Sequence, residues 1–142
     1  MRAVVQRVHQ ASVTSEGEIV GEIGKGLLIY LGVQKNDTHE DANYLVEKIR
    51  HLRVFPDEKK PRNRDVLQAG GAVMVVSAFT TVGDARKGRR PSFDDAADGS
   101  KAQPLYEGVC DQLSASGLTV QRGRFGASMD VRSNNYGPIC IL

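Results

Sequence analysis

Along residues 3 to 33 apolar and polar side chains alternate with a period of two, which predicts a run of β-strands. Ala3 to Val8 and Ala11 to Ser15 are the first two segments. Glu18 to Ile23 follows across Glu16-Gly17, and Gly26 to Val33 follows the Gly24-Lys25 turn. From Asp37 the period lengthens. Ala42, Leu45, Val46, Ile49 and Leu52 fall on one stripe of an amphipathic helix, with Asp37 and Glu40 as its expected cap and box. Arg53 to Phe55 reads as a short strand, Pro56 to Asn63 as a polar loop, and Ala72 to Ser77 as a strand buried on both faces. Residues 81 to 100 form a long irregular stretch, of the kind that often carries function. A second helix follows, with Pro104 expected in its first turn, Ala102, Leu105, Tyr106, Val109, Cys110 and Leu113 on one face, and Gly117 as its C-terminal cap. Leu118 to Gln121, Ser128 to Asn134 and Ile139 to Leu142 complete the strands.

Strands grouped around two helices, without strict alternation of strand and helix, predict an α+β fold, one domain spanning residues 1–142. The sheet is expected to be mostly antiparallel or mixed, with the two main helices packed on one face. The other face would then need cover, and a homodimer supplies it.

Composition narrows the function classes. Forty per cent hydrophobic and 25% charged residues support a packed core, which must be mostly aliphatic because only 6% of residues are aromatic and none is Trp. The net charge of +2 is too weak for diffuse attraction of nucleic acid, so a polyanion site must depend on where the charges sit. The longest apolar runs fall well short of the ~18 residues of a membrane span, and the N-terminus reads as a strand with no signal-peptide pattern. A soluble, cytoplasmic protein without membrane contact is expected. Cys110 and Cys140 read as reduced, part-buried thiols.

His9, His39 and His51 show no metal-ligand spacing, so no metal and no cofactor are expected; all three read as solvated residues. Nucleophile-elbow, Walker and dinucleotide-binding motifs are absent. Two segments remain as candidate chemistry. Ser77-Ala78-Phe79-Thr80-Thr81 places hydroxyls and a ring where a buried strand runs out, an arrangement that also satisfies backbone groups at strand ends. Asn134-Asn135-Tyr136-Gly137-Pro138 reads as a turn between two strands.

Taken together, the chain resembles the D-aminoacyl-tRNA deacylases, also called D-tyrosyl-tRNA deacylases. The resemblance runs through Met1 to Val8 and Ala11 to Thr14, Gly21 to Leu28, Gly70-Gly71, Val75-Val76-Ser77, Arg86-Lys87-Gly88, Arg90-Pro91-Ser92-Phe93, Phe125-Gly126-Ala127 with Met129, and Asn135-Tyr136-Gly137-Pro138. It implies that family's small barrel-like fold, a homodimer, and hydrolysis of the ester of D-aminoacyl-tRNA, a proofreading reaction of translation. Mischarged glycyl-tRNA is a possible second substrate, because glycine has no side chain to exclude.

The family's Ser-Gln-x-Thr motif falls on Ser77-Ala78-Phe79-Thr80, the expected catalytic segment. Its Asn-x-Gly-Pro-x-Thr motif falls on Asn135 to Cys140. The resemblance implies a cis Gly137-Pro138 bond whose carbonyls enter the partner's pocket and reject L-esters, with Arg7 holding them in orientation. It also implies that Phe79 and Met129 line the adenosine pocket. Arg86, Lys87, Arg89 and Arg90 would meet phosphates at the acceptor end of tRNA. No base adjoins Ser77 or Thr80 in sequence, so catalysis assisted by the terminal 2′-hydroxyl, with main-chain N–H groups near Phe79 and Thr80, is expected over a Thr80 nucleophile. Ala78 stands where the family usually has Gln, and Cys140 where it usually has Thr. Ala78 also supports the alternative, a catalytically weakened relative that binds tRNA or another RNA without hydrolysing it.

Overall fold

A computed structural model describes residues 1–142. The elements run β1 (Arg2–Ser15), β2 (Glu18–Ile23), β3 (Gly26–Gly32), α1 (His39–His51), β4 (Ala72–Ser77), a 3-10 helix (Phe79–Val82), α2 (Gly99–Ala115), β5 (Val120–Arg122) and β6 (Asp130–Ile141). β1 is the spine of a mixed sheet. Along one edge its first half pairs antiparallel with β3 and its second half with β2, while β6 pairs antiparallel along the other edge. β4 continues the sheet parallel to β3, and β5 parallel to β4. The sheet curls until its ends nearly meet: a Cβ added to Gly21 of β2 would lie 2.9 Å from the Arg122 carbonyl of β5.

Alternation along the buried strands divides the core in two. Leu27, Ile29 and Leu31 of β3, with Val73 and Val75 of β4, face the helices and meet Ala42, Val46 and Ile49 of α1 and Leu105, Val109 and Leu113 of α2. Leu28, Met74 and Val76 face inward and pack with Val8, Ala11, Val13 and Ile23. Each fully buried aliphatic side chain contributes about 1.5–3 kcal/mol of transfer free energy. The face opposite the helices is therefore filled by the sheet's own curl. An uncovered sheet face, the physical premise from which a dimer was expected, is not present.

Several local expectations are corrected. β1 is one bent strand instead of two. The α1 cap is Thr38, whose N–H donates to Asp41 at 2.8 Å. Asp37 is instead buried, accepting from the Met1 ammonium and the Gln34 N–H, each at 2.6 Å. Arg53 to Phe55 is no strand: only Phe55 bridges, to Arg64, while Arg53 reaches across the loop to the Asn63 carbonyl. Pro104 stands in the second turn of α2, because Asp98 is the N-cap and Gly99 begins the helix. Gly117, at φ +93°, follows the last turn as expected.

The two strands expected over Ser128 to Asn134 and Ile139 to Leu142 are instead the single β6, Asp130–Ile141, which carries a bulge. Cys140 is exposed, not part-buried. Cys110 is fully buried, its thiol pushed up to about 11 by burial. No helix is long and apolar enough to cross a membrane.

The tightest backbone approach is at Gly26, where an added Cβ would lie 1.8 Å from the Ala72 carbonyl. Gly26→Ala should therefore pry β3 from β4 and lower stability by about 1–3 kcal/mol or more in urea unfolding. A loss under about 0.5 kcal/mol, the range of an ordinary surface change, would contradict this packing.

Candidate active site

The buried strand β4 ends at Ser77, beside Leu31. There the Ala78 N–H makes one last sheet-like bond to the Leu31 carbonyl at 2.9 Å. The chain then tightens into the 3-10 helix, held by the Thr81 N–H and hydroxyl, which both donate to the Ala78 carbonyl at 3.1 and 3.0 Å. Arg2 of β1 donates to the Thr81 carbonyl at 3.0 Å. Gly32 makes room for this turn, since a Cβ there would lie 2.2 Å from the Thr81 hydroxyl. Phe79 and Thr80 open the turn, so their N–H groups have no acceptor within it.

Ser77, Ala78, Phe79 and Thr80 form one wall of a cavity of about 500 Å³. Tyr30, Tyr106, Phe125 and Met129 are among the other lining residues. The predicted catalytic segment and the predicted pocket residues Phe79 and Met129 thus come together, although Met129 lies about 50 residues away in sequence. Phe79 remains 57% exposed. Met129 is tethered by the Arg124 N–H, which donates to its sulfur at 3.3 Å.

The lining contains no His, Cys, Asp, Glu, Lys or Arg. Its titratable side chains are the phenols of Tyr30 and Tyr106, and burial pushes both above their ordinary range. The Tyr106 hydroxyl is also committed, donating to the Val75 carbonyl at 2.8 Å. No group in this wall can serve as a proton acceptor near neutrality.

The loop that carries the basic cluster follows the 3-10 helix. Reciprocal bonds of 2.8 Å between Asp84 and Ser92 close its base. Phe93, next in sequence, packs edge-on against Phe79 with ring centres 5.1 Å apart. The four cations are not equivalent. Arg86 is paired with Asp84 at 2.6 Å, whereas Lys87, Arg89 and Arg90 are exposed and make no ion pair.

Gly137 and Pro138 do not line this cavity. They lie in the β6 bulge. Val8 pairs with Asn135 and Gln6 with Cys140, so β1 has one residue, Arg7, opposite four on β6. Asn135 closes the bulge by donating to the Ile139 carbonyl at 3.0 Å and accepting from its N–H at 2.8 Å. Arg7 is only 6% exposed. Its Nε donates to the Tyr136 carbonyl at 2.8 Å, its Nη1 to the Val54 carbonyl at 2.5 Å, and its guanidinium lies 3.9 Å from the Tyr136 ring centre. The Gly137-Pro138 bond is cis, and both residues are exposed. Gly137 has φ +144°, and an added Cβ would lie 2.8 Å from the Ile139 nitrogen, so glycine is required there.

The sequence reading missed Arg2, Tyr30, Tyr106 and Tyr136 as supports of these two regions. His9 is exposed, as its reading as a solvated residue expected, but its ring also stacks on Tyr136 at 4.2 Å, a contact the sequence reading missed. The available signal was the i, i+2 spacing of Arg7 and His9, which puts both on one side of a strand.

Hydrogen bonds from the Arg86 side chain and backbone hold the Asp84 carboxyl down to about 2. Because the folded value is depressed, the pairing is complete above the ordinary carboxylate range and is lost as pH falls through about 2. Carboxyl NMR should give that midpoint, leaving Arg86 engaged from pH 4 to 9. A midpoint near the ordinary value of about 4 would mean that Arg86 is as free as its neighbours.

The family model described as D-Tyr-tRNA(Tyr) deacylase matches residues 4–142. A D-aminoacyl-tRNA deacylase of Halalkalibacterium halodurans is 51% identical over 142 residues, all of this chain and 97% of its own length. Among solved structures, the "c-Myc DNA Unwinding Element Binding Protein" superposes with a TM-score of 0.92 at 37% identity, over 99% of this chain and 96% of that one. A structure titled as that of "a probable eukaryotic D-amino acid tRNA deacylase" superposes with a TM-score of 0.81 over 98% of both chains; at 18% identity it speaks to the fold alone.

Proposed function

The chain belongs to the D-Tyr-tRNA(Tyr) deacylase family, and from that premise we propose that it hydrolyses the ester bond of D-aminoacyl-tRNA, and of glycyl-tRNA, with the terminal adenosine seated in the Ser77–Thr80 cavity. The observation that carries the mechanism is the chemistry of the cavity wall. It is mostly apolar and has no acid or base for neutral pH, but it includes a turn that opens with two main-chain donors. Such a wall binds a base and ribose and stabilises an oxyanion, while the proton must be handled by the substrate.

The 2′-hydroxyl of the terminal ribose lies next to the ester and takes that role. Water adds to the ester carbonyl carbon, and the resulting oxyanion accepts hydrogen bonds from the Phe79 and Thr80 N–H groups. The carbon–oxygen bond to the ribose then breaks, and the departing ribose oxygen takes up the proton that the attacking water gives up, relayed through the 2′-hydroxyl. The products are a free amino acid and tRNA. Ala78 brings no side-chain donor and its N–H is taken by the Leu31 carbonyl, so the route relies on the Phe79 and Thr80 N–H groups. The Thr80 hydroxyl has no base in the wall to activate it.

Chiral selection comes from the Gly137-Pro138 bulge of a second copy. In one protomer the bulge is exposed and apart from the cavity, and β6 pairs with β1 alone, leaving a 12-residue edge. An unpaired edge of that length is a template for isologous pairing, which would carry each bulge toward the other copy's cavity. There the main-chain carbonyls would accept the substrate's amino group and occupy the space that an L side chain needs. A D side chain, or the hydrogen of glycine, would avoid them. Lys87, Arg89 and Arg90 would hold the acceptor-end phosphates beside the cavity mouth.

A second reading, nucleic-acid binding without hydrolysis, is favoured by Ala78 alone. Single-turnover deacylation of matched D-, L- and glycyl-tRNA separates the two. The proposal expects loss of the D- and glycyl-esters with the L-ester retained, whereas tight binding with all three esters intact would replace it with the second reading.

Removing the 2′-hydroxyl from the terminal ribose should slow the D-reaction by about 10²-fold, the usual scale of a lost general acid–base contribution, while Thr80→Ala retains most activity. The reverse pattern would make Thr80 the nucleophile. Alanine at Lys87, Arg89 or Arg90 should each weaken tRNA binding and reduce its salt slope by about one counterion, while Arg86→Ala, already paired with Asp84, should do so least. Equal effects at all four positions would contradict this division.

A further inference from the structure

We infer that His9 is a positioning residue for the reaction: with Arg7 it clasps the Tyr136 ring from opposite faces and thereby aims the Gly137-Pro138 carbonyls. The inference rests on the proposed chiral selection and assigns a role to a side chain that the sequence alone left as solvated. The Arg7 guanidinium carbon lies 3.9 Å from the Tyr136 ring centre. The His9 ring centre lies 4.2 Å from the same point, with the planes inclined by 22°. Two groups that close to one ring centre cannot share a face without colliding, so the ring is held between them. Arg7 and His9 stand at i and i+2 on β1, and successive residues of this parity project to the same side of a strand.

Position in the chain makes the clasp consequential. Tyr136 immediately precedes Gly137, and its carbonyl is already fixed by Arg7 at 2.8 Å. On the far side of the bulge, the Asn135 side chain bonds both main-chain groups of Ile139. Gly137 and Pro138 are exposed between these two fixed points. Without His9 one face of the Tyr136 ring is bare and the ring can swing away from Arg7, taking the direction of the next peptide with it. His9 touches neither the cavity nor the ester in this arrangement. It acts through Tyr136, and its loss should appear in selectivity and turnover, not in affinity for tRNA.

The test is single-turnover hydrolysis of one amino acid's D- and L-aminoacyl-tRNA by the full-length wild type, His9→Ala and His9→Phe, with tRNA binding and thermal melting measured in parallel. His9→Ala should narrow the D-over-L rate ratio by about tenfold, the upper scale of one aromatic pair, with tRNA binding and melting unchanged. His9→Phe, which restores a flat ring without a charge, should return the ratio to within about twofold of wild type. If His9→Ala melts early, His9→Leu fills the volume without stacking and is read in the same way. An unaltered ratio in a folded variant overturns the inference while leaving the proposed function standing. A wild type that spares the D-ester overturns the proposed function itself.

Discussion

A guanidinium taken out of water without a carboxylate beside it must be compensated locally, and Arg7 is such a group. It is held by two main-chain carbonyls, from the segment after α1 and from β6, and by the face of an aromatic ring. Burying that charge would cost several kcal/mol if either element moved off, so the residue fixes the placement of both against β1. The β6 bulge consequently has a defined shape although its tip is exposed.

The same strand governs the other half of the site. Arg2, five residues earlier on β1, holds the carbonyl of Thr81 and so braces the turn that follows β4. One strand thus positions the cavity wall near its start and the Gly137-Pro138 bulge a few residues on, yet within one protomer the two do not meet. That separation is what makes a second copy chemically necessary to the proposal. It replaces the weaker motive of an uncovered sheet face, which the curled sheet removes by filling its own interior. The cavity can be chemically plain for a related reason: when substrate supplies the proton chemistry and main chain supplies both the oxyanion donors and the chiral filter, the demand on side chains is for shape.

Much of this was legible in the chain. β2, β3, β4 and the core stripes of both helices followed from periodicity, because burial of alternate or every third and fourth side chain is imposed by the elements themselves. The Ser77–Thr80 segment and the Gly137-Pro138 motif stood out once the whole order of motifs was considered. Misreadings fell where a distant partner outweighed a local preference. Asp37 left its capping role for an ammonium contributed from the start of the chain. Asn134 to Pro138 carries strong turn residues, but pairing with β1 on both sides converts the turn into a bulge within one strand. His9 and Tyr136 are 127 positions apart and meet only through that pairing, so the i, i+2 spacing of Arg7 and His9 gives the side of the strand but not the partner. Arg86 looked equivalent to its basic neighbours until Asp84, on the same loop, claimed it.

The most direct test of the central claim is a crystal structure of the protein with a D-aminoacyl-adenosine analogue whose ester is replaced by an amide. The account predicts a two-fold dimer with the base against Phe79 and Met129, the amide carbonyl at the Phe79 and Thr80 N–H groups, and the analogue's amino group within hydrogen-bond distance of the partner subunit's Gly137. An analogue seated in the cavity of a protomer that no second copy approaches would contradict it.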